Sequence, residues 1–569
     1  AAALPPSGEE SHFRALERLY ASAPINHLFA STLTIQGNDV KGIVNSVAAT
    51  CNYELIGSAA AVLSQTVSGN TFTNLTLNTN GNVYFIRRQS TMSSGATWNC
   101  NNNSIVTGFN LPNTVNTFSF IYTSSTSGTG VTMNENNNNF SNVTLTGASF
   151  FFGIYDLDGF GAGSIPVKTV NGNTFNNINT GASSAIMIWC NNVDASSSIS
   201  SNTISNISGS GNLWMIQHNS NYGNGLFTIA NNNISTVSSS AGNVYGIYAS
   251  TTVSNPVNIS GNTITGITSG SFIVAGIYIS DAALINIYNN NINNLTCTSN
   301  SASAAVNGIM LGNFVGTINT VNIYNNRIHT LSETGTVSSG SSVVNGILIN
   351  YGSTVTMYNN FIANLLAPNV NLTDAIRGIN IATFFTSNTT YNLYYNSIYI
   401  NASSAGANFG TAGIYHNDNA SATTAKLTMN DNIIVNTSTP KGTGSTIAFW
   451  NSGTTHGNYI TGSDNNLFYA GTPAANRLVY YDGTNSDQAL ATFQARVNPR
   501  EANSISLMPV FTSSTDLHLA STNCLLDNQG APVAGITTDI DGATRDVTTP
   551  DIGADEFSAS LNTTLAGIT

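Results

Sequence analysis

The sequence predicts an all-β fold, a parallel β-helix solenoid of about 13 coils with 28–36 residues in each coil. Two observations predict it: a tripeptide Asn-x-apolar returns at an even spacing, and short runs of alternating apolar residues flank each copy. Because one coil is too short to bury its own apolar face, neighbouring coils must stack to form a core. The asparagines that define the repeat are Asn70, Asn103, Asn138, Asn173, Asn202, Asn232, Asn262, Asn290, Asn326, Asn360, Asn396, Asn432 and Asn465.

The residues around each asparagine predict two short strands that meet at a sharp bend. In the copy at Asn262, Val257 and Ile259 precede the bend, and Ile264 and Ile267 follow it. This near period-two pattern indicates strands with one buried face. We expect the asparagine itself to adopt the left-handed backbone conformation that the bend requires. We also expect the asparagine side chains of successive coils to hydrogen-bond to one another as a ladder.

A third strand completes each coil, and it carries the motif Gly-Ile-apolar. Examples are Gly246-Ile247-Tyr248 and Gly308-Ile309-Met310, each of which follows a loop rich in Ser, Thr, Gly and Asn. A globular β-sandwich is the alternative fold. It would show irregular spacing and antiparallel hairpin signals, and the sequence contains neither.

Composition excludes several classes of protein. Of 569 residues only 14 are Lys or Arg and 26 are Asp or Glu, whereas 84 are Asn, and the formal net charge is −12. With 41% apolar residues and so little charge, the chain is not of the disordered type. No apolar run is long enough to cross a membrane as a helix, and a net negative chain with four lysines does not suit nucleic acid. Low charge with abundant Thr, Ser and Asn is typical of secreted proteins.

The two ends depart from the repeat. Residues 1–40 are predicted to form an N-terminal capping segment whose short helix, Ser7–Tyr20, has a capping box and an apolar face. Residues 41–480 are the predicted β-helix. Residues 481–569 are a predicted C-terminal cap, because the repeat lapses there and acidic residues become frequent.

The C-terminal region contains four distinctive motifs: NSISLMPVF (503–511), DLHLAS (516–521), DIDGATRD (539–546) and PDIGADEF (550–557). With them, roughly residues 490–557 resemble the C-terminal end of right-handed parallel β-helix proteins secreted by Bacteroidota. That resemblance implies a right-handed β-helix, an exported cell-surface protein, and a following sorting domain for type IX secretion.

Two short acidic motifs are the only candidate metal sites in the sequence. Asp156 and Asp158, and likewise Asp539 and Asp541, resemble fragments of calcium loops but lack the remaining ligands of a complete loop. The competing interpretations are a glycine-rich turn for the first pair and a capping network of paired charges for the second. Apart from a weak calcium site, no cofactor is expected.

No catalytic signature accompanies the repeat: charged residues are scattered along the coils, without the paired carboxylates of a hydrolase or the basic residue and calcium ligands of a lyase. Tyr288, Tyr324 and Tyr358 recur before the bend, either to stack coil on coil or to offer an aromatic stripe to sugar rings. We therefore expect a non-catalytic, secreted or surface-displayed protein with an adhesive or structural role, including as a subunit of an extracellular filament. Its expected partners are further copies of the chain, or a glycan or other cell-surface partner. The alternative is a polysaccharide-active lyase or glycosidase, or a carbohydrate-binding module.

Overall fold

The computed structural model of the protein describes a defined part of the chain: residues 25–27, 32–42, 53–58, 64–147, 149–159, 165–194, 196–251, 256–281, 283–312, 320–340, 342–382 and 388–560. Within these residues the chain is an all-β parallel solenoid of about 12 turns, which confirms the predicted fold class. The predicted helix Ser7–Tyr20 lies outside the described residues. The chain divides into two compact units, Ala1–Val257 and Asn258–Thr569, and the strand Pro256–Ser260 spans the division.

In the first unit, three strands per coil build three parallel sheets, which we call A, B and C. Sheet A contains Ile25–His27, Tyr53–Ser58, Val83–Arg88, Thr117–Thr123, Phe150–Asp156, Ser184–Asp194, Leu213–Asn224 and Val244–Thr251. Sheet B contains Thr32–Gln36, Ser64–Ser68, Thr97–Asn101, Thr132–Asn134, Val167–Asn171, Ser197–Ser200 and Phe227–Ala230. Sheet C contains Phe109–Leu111, Val143–Leu145, Thr174–Asn179, Thr203–Gly209 and Asn233–Ser239, and Asp39–Lys41, Thr71–Thr73 and Ser104–Ile105 form a short sheet of their own.

The second unit repeats the three sheets. Sheet A contains Ile273–Asp281, Ala305–Leu311, Val344–Ile349, Leu372–Ile381, Phe409–His416, Thr446–Asn451 and Arg477–Tyr481, followed by Ser486–Asp487, which pairs antiparallel. Sheet B contains Leu284–Tyr288, Thr320–Tyr324, Thr354–Tyr358, Thr390–Tyr394 and Lys426–Asn430. Sheet C contains Thr263–Ser269, Asn291–Cys297, Arg327–Glu333, Phe361–Leu366, Ser397–Ile400, Ile433–Asn436 and Leu467–Tyr469.

The asparagine ladder lies at the turn between sheets B and C. At each step, the backbone N–H and the Nδ2 of one asparagine both donate to the Oδ1 of the asparagine in the next coil, as from Asn70 to Asn103 (3.1 and 2.9 Å). The steps run from Asn38 to Asn232 in the first unit and from Asn262 to Asn466 in the second. Buried amides with no access to water are satisfied in this way without any charge.

Two details of the predicted ladder are corrected. Asn466, and not Asn465, occupies its last position, and Asn38 is an additional first position. The left-handed conformation also falls one residue before each ladder asparagine, as at Asn325 (φ 55°), Asn359 (φ 53°) and Asn465 (φ 58°). The ladder residue lies directly before the next strand, as Asn326 lies before Arg327–Glu333, and its side chain is buried in the core. The bend therefore precedes it.

The Gly-Ile motif marks the place where sheet A approaches the core side chains of sheet C. A Cβ added at Gly308 would lie 2.5 Å from Ile328 Cγ2 and 2.6 Å from the carbonyl oxygen of Gly346. Gly276 and Gly378 face equivalent obstacles in their own coils. Only glycine fits there, since a real Cβ does not approach a heavy atom so closely.

The first part of the predicted C-terminal cap, 481–569, covers the last coil. The helix Leu490–Val497 is the single helix within the described part of the chain. Its Phe493 is fully buried and stacks on Tyr480 with ring centroids 4.7 Å apart. The ladder ends here too, because Asn466 donates to Glu501 Oε2 at 3.0 Å instead of to another asparagine.

The rest of this region, residues 503–557, is the C-terminal segment, and it lies along the outer surface of sheet C. Its Leu519, Leu526 and Ile552 pack on Ile433 and Val435, which alternate with the core residues of their strand. A further cluster joins Leu517, Ile540 and Ala554 to Phe361 and Ala363. The outward positions that are Asn291 and Asn293 in an earlier coil are Phe361 and Ala363, Ser397 and Tyr399, and Ile433 and Val435 in the coils that the segment covers. We call this arrangement the flank covering: the segment covers the outer surface of sheet C, whereas a simple end cap would cover only the last coil.

Candidate functional sites

A row of aromatic rings lies on the outer side of sheet A in the first unit. We call Tyr84, Tyr122, Phe152, Tyr155 and Trp189 the aromatic face. Parallel pairing places Tyr122 beside Tyr155 and Tyr155 beside Trp189 in successive coils. Ring centroids are 5.3 Å apart for the first pair and 4.8 Å apart for the second, and Phe152 stacks on Tyr155 at 4.0 Å. Tyr122, Tyr155 and Trp189 are half-buried and keep part of their surface in solvent, whereas Tyr84 and Phe152 are buried against their neighbours.

One ion pair lies at the end of the aromatic face. The Arg87 guanidinium lies over the rings of Tyr84 (4.5 Å) and Tyr122 (5.6 Å), and one of its nitrogens lies 3.4 Å from Glu54 Oε2. Burial and the two tyrosine neighbours raise the pKa of Tyr155 to about 12, so its hydroxyl is a neutral donor at physiological pH. The face thus offers ring surfaces and hydroxyl groups with little net charge, which suits uncharged sugar rings better than ions.

The second unit has a smaller aromatic group on its own sheet A. Tyr415, Trp450 and Tyr481 are register neighbours, with centroid distances of 5.4 Å for each successive pair. Arg377 covers Tyr415, with Cζ 3.3 Å from the ring centroid, and Asp374 holds the guanidinium at 2.5 Å. Because this arginine covers one ring face of Tyr415, the group offers less free aromatic surface than the aromatic face does.

The tyrosines of sheet B stack coil on coil. Tyr288 and Tyr324 have centroids 4.8 Å apart and planes within 2°, and Tyr324 and Tyr358 lie 4.7 Å apart at the same angle. Their ring faces therefore cover one another, and only the ring edges and hydroxyls reach solvent. This geometry agrees with the stacking interpretation and does not provide open platforms for sugars.

Asp156 and Asp158, one of the two predicted calcium pairs, lie in the interior of the first unit on cationic partners. Lys168 Nζ lies 2.8 Å from Asp156 Oδ1, and Arg88 Nη2 lies 2.6 Å from Asp158 Oδ2, with all four side chains essentially inaccessible. The ammonium group also donates to the carbonyl oxygens of Asp158 and Asn191. A cationic nitrogen thus stands beside each carboxylate, where a calcium ligand set would need the metal.

A third carboxyl group belongs to the same interior cluster. Glu135 is fully buried and accepts a hydrogen bond from Trp98 Nε1 at 3.2 Å. Burial, together with repulsion from Asp156, raises the pKa of Glu135 well above its ordinary value. With Glu135 protonated, two carboxylates would face one ammonium and one guanidinium, and their charges would balance. Its inaccessibility gives it a structural role.

The other predicted pair, Asp539 and Asp541, lies in the C-terminal segment. Asp539 Oδ1 accepts the backbone N–H groups of Asp541 (2.9 Å) and Ala543 (2.8 Å), so it stabilises a turn. Asp541 is half-exposed and forms ion pairs with Arg327 and His518. The predicted network would pair the charges of Asp541, Arg545 and Asp551, but each has other partners: Arg545 binds Glu556 and Asn359, and Asp551 accepts the N–H groups of Asn528 and Phe557.

Comparisons with known proteins add no identity. No protein-family model matches the sequence, and no curated protein matches it significantly. Among the described residues, no helix has both the length and the apolar character needed to cross a membrane.

Sequence reasoning missed the aromatic face, although its signal was present. Tyr155 follows directly after the Gly-Ile motif, and Tyr248 and Tyr278 occupy the same position in other coils. The Gly-Ile motif indicates a strand that packs in the core. From the motif alone, we would expect the residue that follows it to pack in the core as well. A β-strand normally alternates its faces, but here two consecutive positions, such as Phe120 and Ile121, are both buried in the core, and the next residue, Tyr122, lies outside.

Proposed function

We propose that the chain is a non-catalytic, secreted or surface-displayed β-solenoid with an adhesive role, and that its aromatic face binds polysaccharide. The observation that supports this is the coil-to-coil row of Tyr122, Tyr155 and Trp189 on a sheet with few charges. Adjacent strands are about 4.8 Å apart, so alternate rings are about 10 Å apart and match every second sugar residue of an extended polymer. A rigid row would bind an extended chain with little loss of its own conformational entropy.

The proposal assigns no catalytic role to the carboxylates near this face. A glycosidase needs two carboxyl groups on either side of the scissile bond. Asp156 and Asp158 lie in the interior on Lys168 and Arg88, and Glu54 is held by Arg87.

Binding to polysaccharides tests the proposal directly. Affinity gel electrophoresis of the protein in gels with β-glucan, mannan, xylan or pectin should show retardation by at least one polymer. Trp189→Ala should weaken that binding by at least about 10-fold, because aromatic residues dominate contact energies of this kind. Tyr324→Ala, in the self-covered stack of sheet B, is the matched control and should bind like the original protein.

Two results would contradict the proposal. One is that no polymer retards the protein and that Trp189→Ala migrates like the original protein in every gel. The other is release of reducing ends, or a rise in ultraviolet absorbance from unsaturated products, which would establish the enzymatic alternative. Circular dichroism of each variant separates lost binding from lost folding.

A structural role as a filament subunit belongs to the same proposal. Asn286 Nδ2 donates to Asn258 Oδ1 (2.9 Å), and Asn322 Nδ2 donates to Asn286 Oδ1 (2.8 Å), so sheet B carries ordered, uncharged polar rows on its outer side. Few charges mean weak repulsion between copies. Electron microscopy and sedimentation at increasing protein concentration test this part, and a monomer at all concentrations would exclude it.

A further inference from the structure

A histidine and two carboxylates converge where the C-terminal segment meets sheet C. His518, Asp541 and Asp555 each offer one ligand atom, and these three atoms lie within 4.8 Å of one another. His518 Nε2 and Asp541 Oδ2 are 2.6 Å apart. The three residues come from separate turns of the segment, so their convergence depends on its fold.

Asp555 brings a buried carboxylate with spare binding capacity. Its side chain is 7% exposed, and Oδ2 accepts the N–H of Leu519 at 2.7 Å. Its Oδ1 has no hydrogen-bond donor within the described part of the chain. A carboxylate oxygen with free lone pairs can accept a further donor or bind a cation.

The histidine ring is held in the orientation that a metal ligand needs. Asp516 binds Nδ1, and the ring packs edge-on against Phe361 with centroids 4.9 Å apart and planes at 88°. Nε2 therefore points to the carboxylates. A carboxylate on the far nitrogen of a ligating histidine is the usual supporting arrangement, because it fixes the tautomer and raises the basicity of the ligand.

The charge around this cluster also favours a divalent cation. Asp516, Asp541 and Asp555 lie around the ring, and the one basic side chain that pairs with them in the described part of the chain is Arg327, 2.5 Å from Asp541 Oδ1. Even with His518 protonated, the three carboxylates outnumber the two positive groups.

We propose that His518 Nε2, Asp541 and Asp555 bind one divalent transition-metal ion of the zinc type. One imidazole nitrogen and two carboxylate oxygens with an open fourth position suit zinc, whereas calcium takes oxygen ligands only. Binding displaces the proton between Nε2 and Asp541 Oδ2. The two atoms then separate from 2.6 Å to about 3.3 Å, the ligand–ligand distance that tetrahedral zinc requires.

The ion would fasten the C-terminal segment to the solenoid. Asp541 is tied to Arg327 of sheet C, and His518 packs on Phe361 of the next strand. Metal binding therefore joins three turns of the segment at a point already anchored on sheet C. This role is independent of the aromatic face, which belongs to the first unit.

Calorimetric titration of metal-free protein with ZnCl₂, and separately with CaCl₂, tests the inference. We expect one zinc ion per chain, tighter binding of zinc than of calcium, and a rise in melting temperature that depends on zinc. His518→Asn and Asp555→Asn should each weaken zinc binding by at least about 10-fold. Asp546→Asn is the matched control, because Asp546 lies in the same segment but is fully exposed and outside the cluster.

The results that overturn the inference are equally specific. Zinc that does not bind, or that binds His518→Asn and Asp555→Asn as it binds the original protein, excludes the site. Calcium binding more tightly than zinc excludes the proposed ligand set. Circular dichroism and melting of the metal-free variants show whether they are folded. If one variant is unfolded, the other still decides the question, since the two remove different ligands.

Discussion

Asn326 Nδ2 lies 3.0 Å from Asn360 Oδ1 and donates a hydrogen bond to it, although 34 residues separate the two in the chain. The backbone N–H of Asn326 donates to the same oxygen at 3.1 Å. Its own Oδ1 accepts the equivalent pair of bonds from Asn290. Each ladder side chain is thus a donor to one coil and an acceptor from another. The ladder fixes the register between coils, because a shift by one residue would leave buried amides unpaired.

Replacement of a ladder residue should therefore be costly. Asn326→Leu removes the acceptor for Asn290 and the side-chain donor to the carbonyls of Ile287 and Tyr324. We expect the free energy of unfolding to fall by about 1–3 kcal/mol, the cost of buried polar groups that lose their partners. Denaturant titration measures it.

A surface asparagine of the same coil provides the control. Asn322→Leu affects a partly exposed side chain whose single bond goes to Asn286, so we expect a change within about 0.5 kcal/mol. Equal stability losses at the two positions would contradict the ladder argument.

The ladder was predictable because its chemistry is periodic, and its errors have a physical origin. The pair Asn465-Asn466 satisfies the tripeptide pattern at either residue, and only the backbone conformation decides between them. The left-handed position tolerates Gly, Asn, Ser and even Tyr395, so it has no single-letter signature. The flank covering was missed for another reason: Phe361 and Ile433 continue an apolar strand pattern, and the sequence does not say what covers them.

The glycine of the Gly-Ile motif is a second site where the fold limits the side chain. Gly308→Ala would place a Cβ 2.5 Å from Ile328 Cγ2 and 2.6 Å from the carbonyl oxygen of Gly346. Neither atom can move far within stacked coils, so we expect a loss of about 1–3 kcal/mol from overpacking. Gly462→Ala is the control, because no atom lies within 4 Å of the position that its Cβ would take. Comparable melting temperatures for both variants would show that the close approach is unimportant.

The buried ion pairs of the first unit should respond asymmetrically to mutation. Lys168→Met leaves Asp156 buried without its cationic partner, which should cost about 3–5 kcal/mol. The double variant Lys168→Met with Asp156→Leu removes both charges and should recover most of the loss. Lys41→Met, at a half-exposed pair with Asp39, should change stability by less than about 1 kcal/mol. A double variant less stable than the single one would exclude charge burial as the cause.

The interior cluster also shows where sequence reasoning reaches its limit. Asp156 and Asp158 were recognisable as unusual residues, but their partners lie on other strands. Lys168 is on the next strand along the chain, 10 positions from Asp158, whereas coil stacking brings in Arg88 from 70 positions away. A pattern search along the chain detects neither the pairing nor the burial, and an acidic doublet without its partners resembles a metal loop.

The attachment of the C-terminal segment should weaken as the pH rises. Asp431 is fully buried, its Oδ1 accepts the N–H of Ala531 at 2.9 Å, and its carbonyl accepts the N–H of Gly553 at 2.7 Å. Burial raises the pKa of Asp431 to about 8. A carboxyl group with a raised pKa contributes stability that is fully present below its unfolded value of 3.8 and is lost as the pH rises through about 8. Melting temperature should therefore fall between about pH 5 and pH 8.5.

Asp431→Asn removes this titration while keeping the acceptor for Ala531, so its decline over the same range should be smaller. Burial also raises the pKa of Glu501 and Asp551 to about 7, so part of the decline should persist in the variant. Differential scanning calorimetry at both pH values measures the difference, with the exposed Asp546→Asn as control. If Asp431→Asn and the original protein lose the same number of degrees, deprotonation of Asp431 does not weaken the attachment, and the decline must come from the other buried acids.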